Sequence, residues 1–562
     1  MRGWRLVLLS WLVLSPLPIA ESRAATSPPP LFDAPAGVQE ASAGVSPRAG
    51  VRQRRVAARL GVLTRPDGSP ALGAGDRVQL NLFDDAKFAM TIVDVTRHSG
   101  SGYTWTGAID GVDHGSAALV VRDGVLVGQI AMPQGVYRIG YAPDGTPVVE
   151  QMDPGALPRE ARPIVPPPAA TADSPSTNMS AEIPDVASDT ASQIDVMVLY
   201  TPAARAVAGG AAAMRAEVDL FIGLANQAYA NTDLVQRLRL VYAGEIAITE
   251  TTGDQDLTNL RANPTVARLR SLTRADVVSL LTDHGPTSTF CGIGYLMVTN
   301  STGFAPNAFS VVERDCATTI QTFTHELGHN MGAHHDLFVA TGDLTMFAYS
   351  HGYVDLVGKF RTIMAYPDQC TAAGISCPRI VSFSSPLFTS GGRAIGTALT
   401  SDNSRTLSQT GNTVASFNTA LVGPPTVSTG VNKSVFAAGD TLVLSVGLEN
   451  SGRTGNADIY FGLLAPDNTL VFFTGTVITP TSGFALGNVL DFASYRPIAT
   501  GVPLAAPFSV NIPSFVSYKW GGSEAKGAYA LLLLVVTAGA LGDGNLTTNE
   551  LLAASLTPFS FQ

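Results

Sequence analysis

The sequence is poor in charged residues. Only 14% of its 562 residues are charged, whereas 45% are hydrophobic, and the net charge is −10. Disordered chains show the opposite balance, so we expect most of this chain to fold. A surplus of acidic side chains gives no electrostatic attraction to nucleic acid or to anionic lipid. We therefore expect no nucleic-acid partner.

Cysteine is also scarce, and the four cysteines all lie in the second half of the chain, at Cys291, Cys316, Cys370 and Cys377. A small even number in an exported chain predicts two disulfides. Four cysteines allow three pairings, and the sequence does not choose among them. We favour the two local pairs, Cys291 with Cys316 and Cys370 with Cys377.

Apolar runs long enough to cross a membrane are missing as well. The chain opens with a basic stretch, MRGWR, followed by LVLLSWLVLSPLPIA, which is too short to span and contains two prolines. This pattern is typical of a secretory signal peptide, here residues 1–24, with cleavage after Ala24 or, as a second option, near Ala20. The run from Ala528 to Leu541 is also too short and is expected to be a buried strand. We expect a secreted protein with no membrane span.

Composition divides the rest of the chain into four segments. Residues 25–153 show short alternating runs and an Asp-Gly turn signal, which predict a β-rich domain. Residues 154–192 are rich in Pro, Ala and Ser and are predicted to be a linker. Residues 193–420 show a strand, helix, strand, strand order that predicts an α/β domain. In residues 425–562 apolar and polar residues alternate again, which predicts a β-sandwich.

The chemistry is concentrated in the motif HELGHNMGAHH. His325 and His329 are four residues apart, so on a helix both rings project from one face and can bind one metal ion. Glu326, beside them, can take a proton from water held by that metal. Gly332 can adopt a positive φ and turn the chain back, so that His335 supplies a third nitrogen. Three histidines leave zinc a fourth position for water, which predicts one catalytic zinc ion.

His334 is the alternative third ligand. Its spacing from Gly332 is one residue short of the extended pattern HExxHxxGxxH, so we favour His335. A surface helix that happens to be rich in histidine is the purely structural alternative to the whole site.

The extended motif, with RTIMAY downstream of it, resembles the metzincin metallopeptidases, whose signature is followed by a Met-turn. The resemblance implies that Met364 lies beneath the zinc as an apolar floor. Asp336, directly after the third histidine, is similar to the reprolysin branch. Tyr366 is similar to a tyrosine of astacins and serralysins that hydrogen-bonds the oxyanion, and a packing role is the equal alternative.

Four segments, IDVMVLYTPAAR, CGIGYLM, FSVVERDCAT and RTIMAY, resemble the bacterial peptidyl-Asp metalloendopeptidases in order and spacing. The resemblance covers residues 193–420 well, the N-terminal domain loosely as a propeptide, and the C-terminal domain hardly at all. It implies a twisted, mostly parallel sheet with an active-site helix. It also implies a cleft whose rim is the strand around residues 291–297, to which a peptide substrate adds as a further strand.

The same resemblance implies cleavage on the amino side of Asp, or of Glu. A pocket for an acidic side chain needs a fixed cation, and Arg361 and Arg379 are the candidates, because a guanidinium matches a carboxylate. Either arginine, taken alone, is better explained as a surface residue.

Latency is a separate question, because the N-terminal domain has no cysteine and cannot place a thiolate on the zinc. Asp113, His114 or Asp153 could take that role, and each also fits an ordinary turn. For maturation, the sequence predicts self-cleavage just before Asp185 or Asp189 in the linker. The alternative is cleavage by another protease at Arg159 or Arg162, or no cleavage at all.

Together these patterns predict a secreted zinc endopeptidase, made as a zymogen, that acts as a monomer on protein or peptide substrates. One alternative is a zinc hydrolase of a non-peptide amide. The other is an adhesin or binding protein with a vestigial metal site, which the intact Glu326 disfavours. Calcium binding stays open.

Overall fold

The computed structural model describes eleven stretches of the chain, namely residues 27–33, 49–66, 68–98, 102–166, 193–286, 288–418, 425–450, 455–474, 483–504, 508–547 and 550–562. The expected signal peptide and the expected maturation sites at Asp185 and Asp189 lie outside them. None of the helices in these stretches combines the length and the apolar character that a membrane crossing requires.

The N-terminal domain is one antiparallel sheet of eight strands, in which β2 to β8 form a meander and β1 pairs with β8, so that the order is β1-β8-β7-β6-β5-β4-β3-β2. Alternate side chains of its strands enclose an apolar core around the buried Trp105. Asp123 and Gly124 both have positive φ and form the turn between β5 and β6, as the sequence predicts. The strands are β1 Gly50–Arg55, β2 Arg77–Phe83, β3 Ala86–Arg97, β4 Tyr103–Ile109, β5 Ser116–Arg122, β6 Val125–Met132, β7 Gly135–Tyr141 and β8 Pro147–Met152.

The domain that contains the histidine motif, predicted above to be the catalytic domain, is built on a five-stranded sheet of order β10-β9-β11-β13-β12. The first four strands are parallel, and the short edge strand β12 runs antiparallel to β13. Its elements are β9 Gln193–Tyr200, α1 Pro202–Val207, α2 Ala211–Ala230, β10 Arg237–Glu245, α3 Gly253–Ala262, α4 Pro264–Thr273, β11 Val277–Thr282, β12 Gly292–Gly294, β13 Phe309–Glu313, α5 Arg314–Ile320, α6 Thr322–Asn330, β14 Val354–Asp355, β15 Phe360–Arg361, α7 Asp368–Ala372, β16 Thr389–Ser390, β17 Arg393–Ala394 and α8 Asn403–Val414.

The N-terminal sheet packs directly on this domain. One contact is apolar and joins strands β5 and β6 to helix α2 through Ala118, Val120, Val127, Ala216, Leu220 and Leu224. The other is ionic and buried, because Arg138 of β7 pairs with Glu150 of its own sheet and donates to Asp315 of α5 at 2.6 Å. A buried charge that kept no partner would be strongly destabilising, so this network fixes how the two domains meet.

The C-terminal domain consists of two sheets, one of order β18-β20-β25 and one of order β19-β27-β26-β21-β22-β23, with β24 also paired to β21. A shared apolar cluster, which includes Leu444 of the first sheet and Leu531 of the second, lies between them. The apolar run near residue 530 is strand β26 and is buried, as predicted. The strands are β18 Thr426–Val431, β19 Val435–Phe436, β20 Thr441–Asn450, β21 Asn456–Leu464, β22 Thr469–Phe473, β23 Phe484–Asn488, β24 Ala499–Pro503, β25 Phe508–Lys519, β26 Gly527–Thr537 and β27 Leu551–Phe561.

Both favoured disulfides are present. The Cys291–Cys316 bond joins the residue before edge strand β12 to helix α5, and the Cys370–Cys377 bond closes the loop that begins with α7. The first bond spans 25 residues and the second 7. The first therefore holds the rim of the cleft against the helix that precedes α6.

The two disulfides should differ in their contribution to stability. Chain entropy gives about 3.5 kcal/mol for a 25-residue loop and about 2.4 kcal/mol for a 7-residue loop. We expect Cys291→Ala/Cys316→Ala to lower the thermal unfolding midpoint more than Cys370→Ala/Cys377→Ala, as measured by calorimetry on the full chain. The reverse order would show that loop length does not decide the effect.

Candidate active site

Three buried histidines converge at the end of helix α6. Nε2 of His335 lies 3.0 Å from Nε2 of His329 and 3.1 Å from Nε2 of His325. The Nδ1 atoms of His325 and His329 face the carbonyl oxygens of Ile363 and Ala333 at 2.9 and 2.8 Å. A carbonyl only accepts, so each Nδ1 carries the hydrogen and each Nε2 directs its lone pair at the common centre.

This donor set fits zinc. Burial lowers the pKa of His325 to about 4 and holds the pKa values of His329 and His335 well below the ordinary value, so the rings are neutral at neutral pH. With their Nδ1 atoms protonated, His325 and His329 bring two lone pairs toward the Nε2 of His335. A cation bound between these nitrogens removes the repulsion between their lone pairs. Three imidazole nitrogens with an open fourth position suit catalytic zinc.

The glycine of the motif makes the turn that the third histidine needs. Helix α6 ends at Asn330, and Gly332 has φ +89°. A Cβ at Gly332 would also lie 2.7 Å from Cε of Met346 and 3.2 Å from the carbonyl oxygen of Met297, so space is tight there, but the positive φ is the main reason for glycine. The neighbouring ring of His334 is engaged elsewhere, because its Nδ1 accepts from the His335 amide and its Nε2 lies 3.7 Å from Asp343.

The segment after the motif packs against helix α6, which carries the first two histidines. Met364 is fully buried, and its sulfur would lie 2.6 Å from a Cβ at Gly328, so the Met-turn packs directly on helix α6. The Asp336 carboxylate accepts from the backbone amides of Phe338 at 3.1 Å and Tyr366 at 2.8 Å. The residue after the third histidine therefore fixes the Met-turn in place.

Glu326 lies beside the histidines with both carboxylate oxygens buried, and neither has a hydrogen-bond partner among the described residues. Edge strand β12 makes room for it, because a Cβ at Gly292 would lie 2.7 Å from its Oε1 and one at Gly294 3.1 Å from its Oε2. Burial, and then the charge of Glu160, raise the pKa of Glu326. A carboxyl group held in this way is suited to accept and return a proton.

The cleft above these residues contains part of the expected linker. We call residues 159–164 the cleft segment. It runs parallel to edge strand β12 as an added strand. Its hydrogen bonds are Cys291 N to Arg159 O at 2.8 Å, Ala161 N to Gly292 O at 2.7 Å, Ile164 N to Gly294 O at 3.0 Å and Leu296 N to Ile164 O at 2.9 Å. The described part of the linker is therefore bound to the catalytic domain.

Glu160 anchors the cleft segment. Its carboxylate accepts from Nη1 of Arg379 at 2.6 Å and from Oγ1 of Thr322 at 3.1 Å, and its carbonyl oxygen accepts from the Tyr366 hydroxyl. The Glu160 side chain is 2% exposed and that of Arg379 4%. Burial favours the neutral acid, but Arg379 and His325 outweigh it and hold the pKa of Glu160 below the ordinary value.

The two arginines proposed from the sequence have different surroundings. Arg379 donates to the Glu160 carboxylate and also to the carbonyl oxygens of Ile320 at 2.6 Å and Ala365 at 3.3 Å. Arg361 donates to the carbonyl oxygens of Cys377 at 3.2 Å and Ala365 at 2.7 Å. Burial, and then the positive charge of Arg379, lower the pKa of Arg361 to about 9. Arg361 therefore supports the loop backbone, and Arg379 is the arginine that meets an acidic side chain.

The latency candidates of the N-terminal domain do not reach the histidines. Asp153 accepts from the amide of Gly155 in a turn, His114 hydrogen-bonds Ser390, and Asp113 is exposed. Sequence reasoning missed Glu160 and Thr322. The available signal was that Glu160 is the only acidic residue between positions 154 and 172.

Comparisons with known proteins agree with the geometry. Residues 190–390 match the metallopeptidase family M12B, reprolysin-like. The chain is 30% identical over 319 residues to the peptidyl-Asp metalloendopeptidase of Xanthomonas campestris pv. campestris, which covers 55% of this chain and 72% of that protein. It is 32% identical over 323 residues to that of Stenotrophomonas maltophilia K279a, covering 54% and 71%, and 37% identical over 194 residues to that of Pseudomonas aeruginosa PAO1, covering 31% and 32%.

The fold and the site define a zinc-dependent metallopeptidase, with three converging histidines, an adjacent carboxylate and an edge strand that pairs with extended chain. This chain belongs to the reprolysin-like metallopeptidase family, and it is a zinc metalloendopeptidase.

The three histidines should be needed for the metal and His334 should not. We expect His325→Ala, His329→Ala and His335→Ala each to lose zinc, because each removes one of three protein ligands. His334→Ala should keep one zinc per chain, as measured by elemental analysis of dialysed protein. Loss of zinc from His334→Ala with retention by His335→Ala would exclude this ligand set.

Proposed function

We propose that this metallopeptidase is secreted and cleaves peptide bonds on the amino side of aspartate or glutamate. The observation that carries the specificity is the buried Arg379 in the cleft, which holds a carboxylate beside the histidines. A fixed guanidinium favours an acidic side chain strongly over a neutral one of similar size. The name shared by the relatives, peptidyl-Asp metalloendopeptidase, supports the same preference.

Zinc held by the three histidines would supply a Lewis acid that polarises the scissile carbonyl and acidifies water. Glu326 takes the proton from the attacking water and passes it to the leaving amine. Its carboxylate is available for this role because neither oxygen has a hydrogen-bond partner among the described residues. The Tyr366 hydroxyl, which already donates to a backbone carbonyl in the cleft, is placed to donate to the substrate carbonyl. Burial raises the pKa of Tyr366, so this hydroxyl keeps its proton.

Substrate backbone would bind to edge strand β12. The amides and carbonyls of residues 291–296 already pair with an extended segment, which is the hydrogen-bonding pattern of β-augmentation. Main-chain pairing of this kind favours peptides over other amides. The Cys370–Cys377 loop contributes a wall, because its Asp368 forms an ion pair with Arg159 of the cleft segment.

The other domains fit a secreted zymogen. We assign residues 1–24 to a signal peptide, residues 25–153 to a propeptide domain that packs on helix α2, and residues 425–562 to an accessory domain. Two disulfides are consistent with export. Self-cleavage before Asp185 or Asp189 would separate the propeptide domain from residues 193–420.

Removing the proposed base should abolish activity without removing the metal. Glu326→Gln keeps the size of the side chain but cannot accept the proton, so kcat/KM on an aspartate-containing peptide should fall by about 10²–10⁴-fold. Zinc content and thermal midpoint should match the wild type. Near-normal turnover by a fully metallated Glu326→Gln protein would exclude Glu326 as the base.

Removing the proposed pocket cation should change selectivity. We expect Arg379→Gln to lower kcat/KM for a peptide with aspartate after the scissile bond by about 100-fold, because the substrate carboxylate loses its buried partner. The matched alanine peptide should be much less affected. Arg393→Gln is the control, since Arg393 is 46% exposed and pairs with Asp355. An unchanged ratio of aspartate to alanine cleavage in Arg379→Gln would contradict the assignment.

A further inference from the structure

We propose that the cleft segment, residues 159–164, is an internal inhibitor in which Glu160 occupies the site that Arg379 and Thr322 form for the acidic side chain of a substrate. The inference rests on the proposed function, and it adds both the residues that bind the substrate carboxylate and the means by which the precursor stays inactive.

The charges at the site require an acidic occupant. Arg379 and Arg361 lie close enough for the charge of Arg379 to lower the pKa of Arg361, and both side chains are buried. Glu160 interacts favourably with both guanidinium groups. When Glu160 leaves, Arg379 loses its carboxylate partner and keeps the carbonyl oxygens of Ile320 at 2.6 Å and Ala365 at 3.3 Å, while Thr322 Oγ1 can donate to an incoming carboxylate. The pocket is therefore suited to bind an acidic side chain.

The backbone of the cleft segment blocks the same strand that a substrate would use. Its four main-chain hydrogen bonds extend from Cys291 to Leu296 along edge strand β12. An edge strand can accept only one added strand on its free side. A peptide substrate must therefore displace the cleft segment before it can bind.

The register of the cleft segment against the catalytic groups explains why the segment is not itself cut. The bond that the proposed specificity selects is the one before Glu160, whose carbonyl belongs to Arg159. That carbonyl oxygen accepts from the amide of Cys291 at 2.8 Å, so it is held by the edge strand. The Tyr366 hydroxyl donates instead to the carbonyl oxygen of Glu160, one residue further along, and at 3.3 Å to that of Ala161. The susceptible bond is thus out of register with the catalytic groups.

The N-terminal domain keeps the inhibitor in place. Strand β8, which ends at Met152, belongs to a sheet that is fixed to the catalytic domain by the buried ion pairs of Arg138, and the cleft segment follows only a few residues later. A short tether gives the segment a high effective concentration at the cleft. A cut between residues 166 and 193, where Asp173, Asp185 and Asp189 lie, would leave the segment attached to the N-terminal domain alone.

The test compares the intact full-length chain with its Glu160→Gln variant, each confirmed by mass spectrometry to be uncleaved. The initial rate of hydrolysis of a short fluorogenic aspartate peptide should be about 100-fold higher in Glu160→Gln, because the neutral amide no longer pairs with Arg379. The rate for Glu160→Asp, whose side chain is one methylene shorter, should lie between the two. If Glu160→Gln does not fold, Glu160→Asp serves as the test variant. Asp144→Asn is the control, since Asp144 is exposed in the same domain, and should stay as inactive as the wild type.

Hydrogen exchange of the amides of Cys291 and Leu296 gives a second readout that needs no activity. Both should exchange faster in Glu160→Gln. An intact Glu160→Gln chain that is as inactive as the wild type, while the processed enzyme cleaves the same peptide, would overturn the inhibitor. If no form cleaves the peptide, the proposed specificity fails, and unchanged protection of the two amides would then overturn the inhibitor separately.

Discussion

The buried pair of Arg379 and Glu160 is the interaction on which this account depends. A guanidinium that is 4% exposed cannot be left without a negative partner, because the loss of solvation is then uncompensated. In this structure, Glu160 provides that partner from within the chain. If the cleft segment is released, as we propose, the carboxylate of a substrate can take its place. Under the proposed function, this one cation would link latency, substrate choice and the position of the cleft segment.

The metal centre depends on close packing between the zinc-binding motif and the Met-turn. Gly328 lets the sulfur of Met364 approach helix α6, and Gly332 turns the chain so that the third histidine meets the first two. Asp336 then binds the backbone of Tyr366, which brings the tyrosine hydroxyl to the cleft. The two glycines supply the space and the backbone conformation that this packing needs.

Much of this arrangement could be predicted from the sequence, because it is local. The histidine spacing, the turn at Gly332 and the two disulfides with separations of 25 and 7 residues are short-range patterns. The cleft segment is different. Its key contact joins residues 219 positions apart, and the segment lies in a Pro-rich stretch with the composition of a linker. Composition describes local flexibility and carries no information about a distant binding partner, so Glu160 was missed and Thr322 with it.

The most direct measurement is a crystal structure of the processed Glu326→Gln enzyme, cleaved in trans by the wild type, in complex with an uncut peptide that contains a single aspartate. The account predicts that the peptide pairs with edge strand β12. It also predicts that the aspartate carboxylate lies on Nη1 of Arg379 and Oγ1 of Thr322, where the carboxylate of Glu160 lies in the precursor. A peptide bound in the cleft with its carboxylate in solvent, or on another cation, would contradict it.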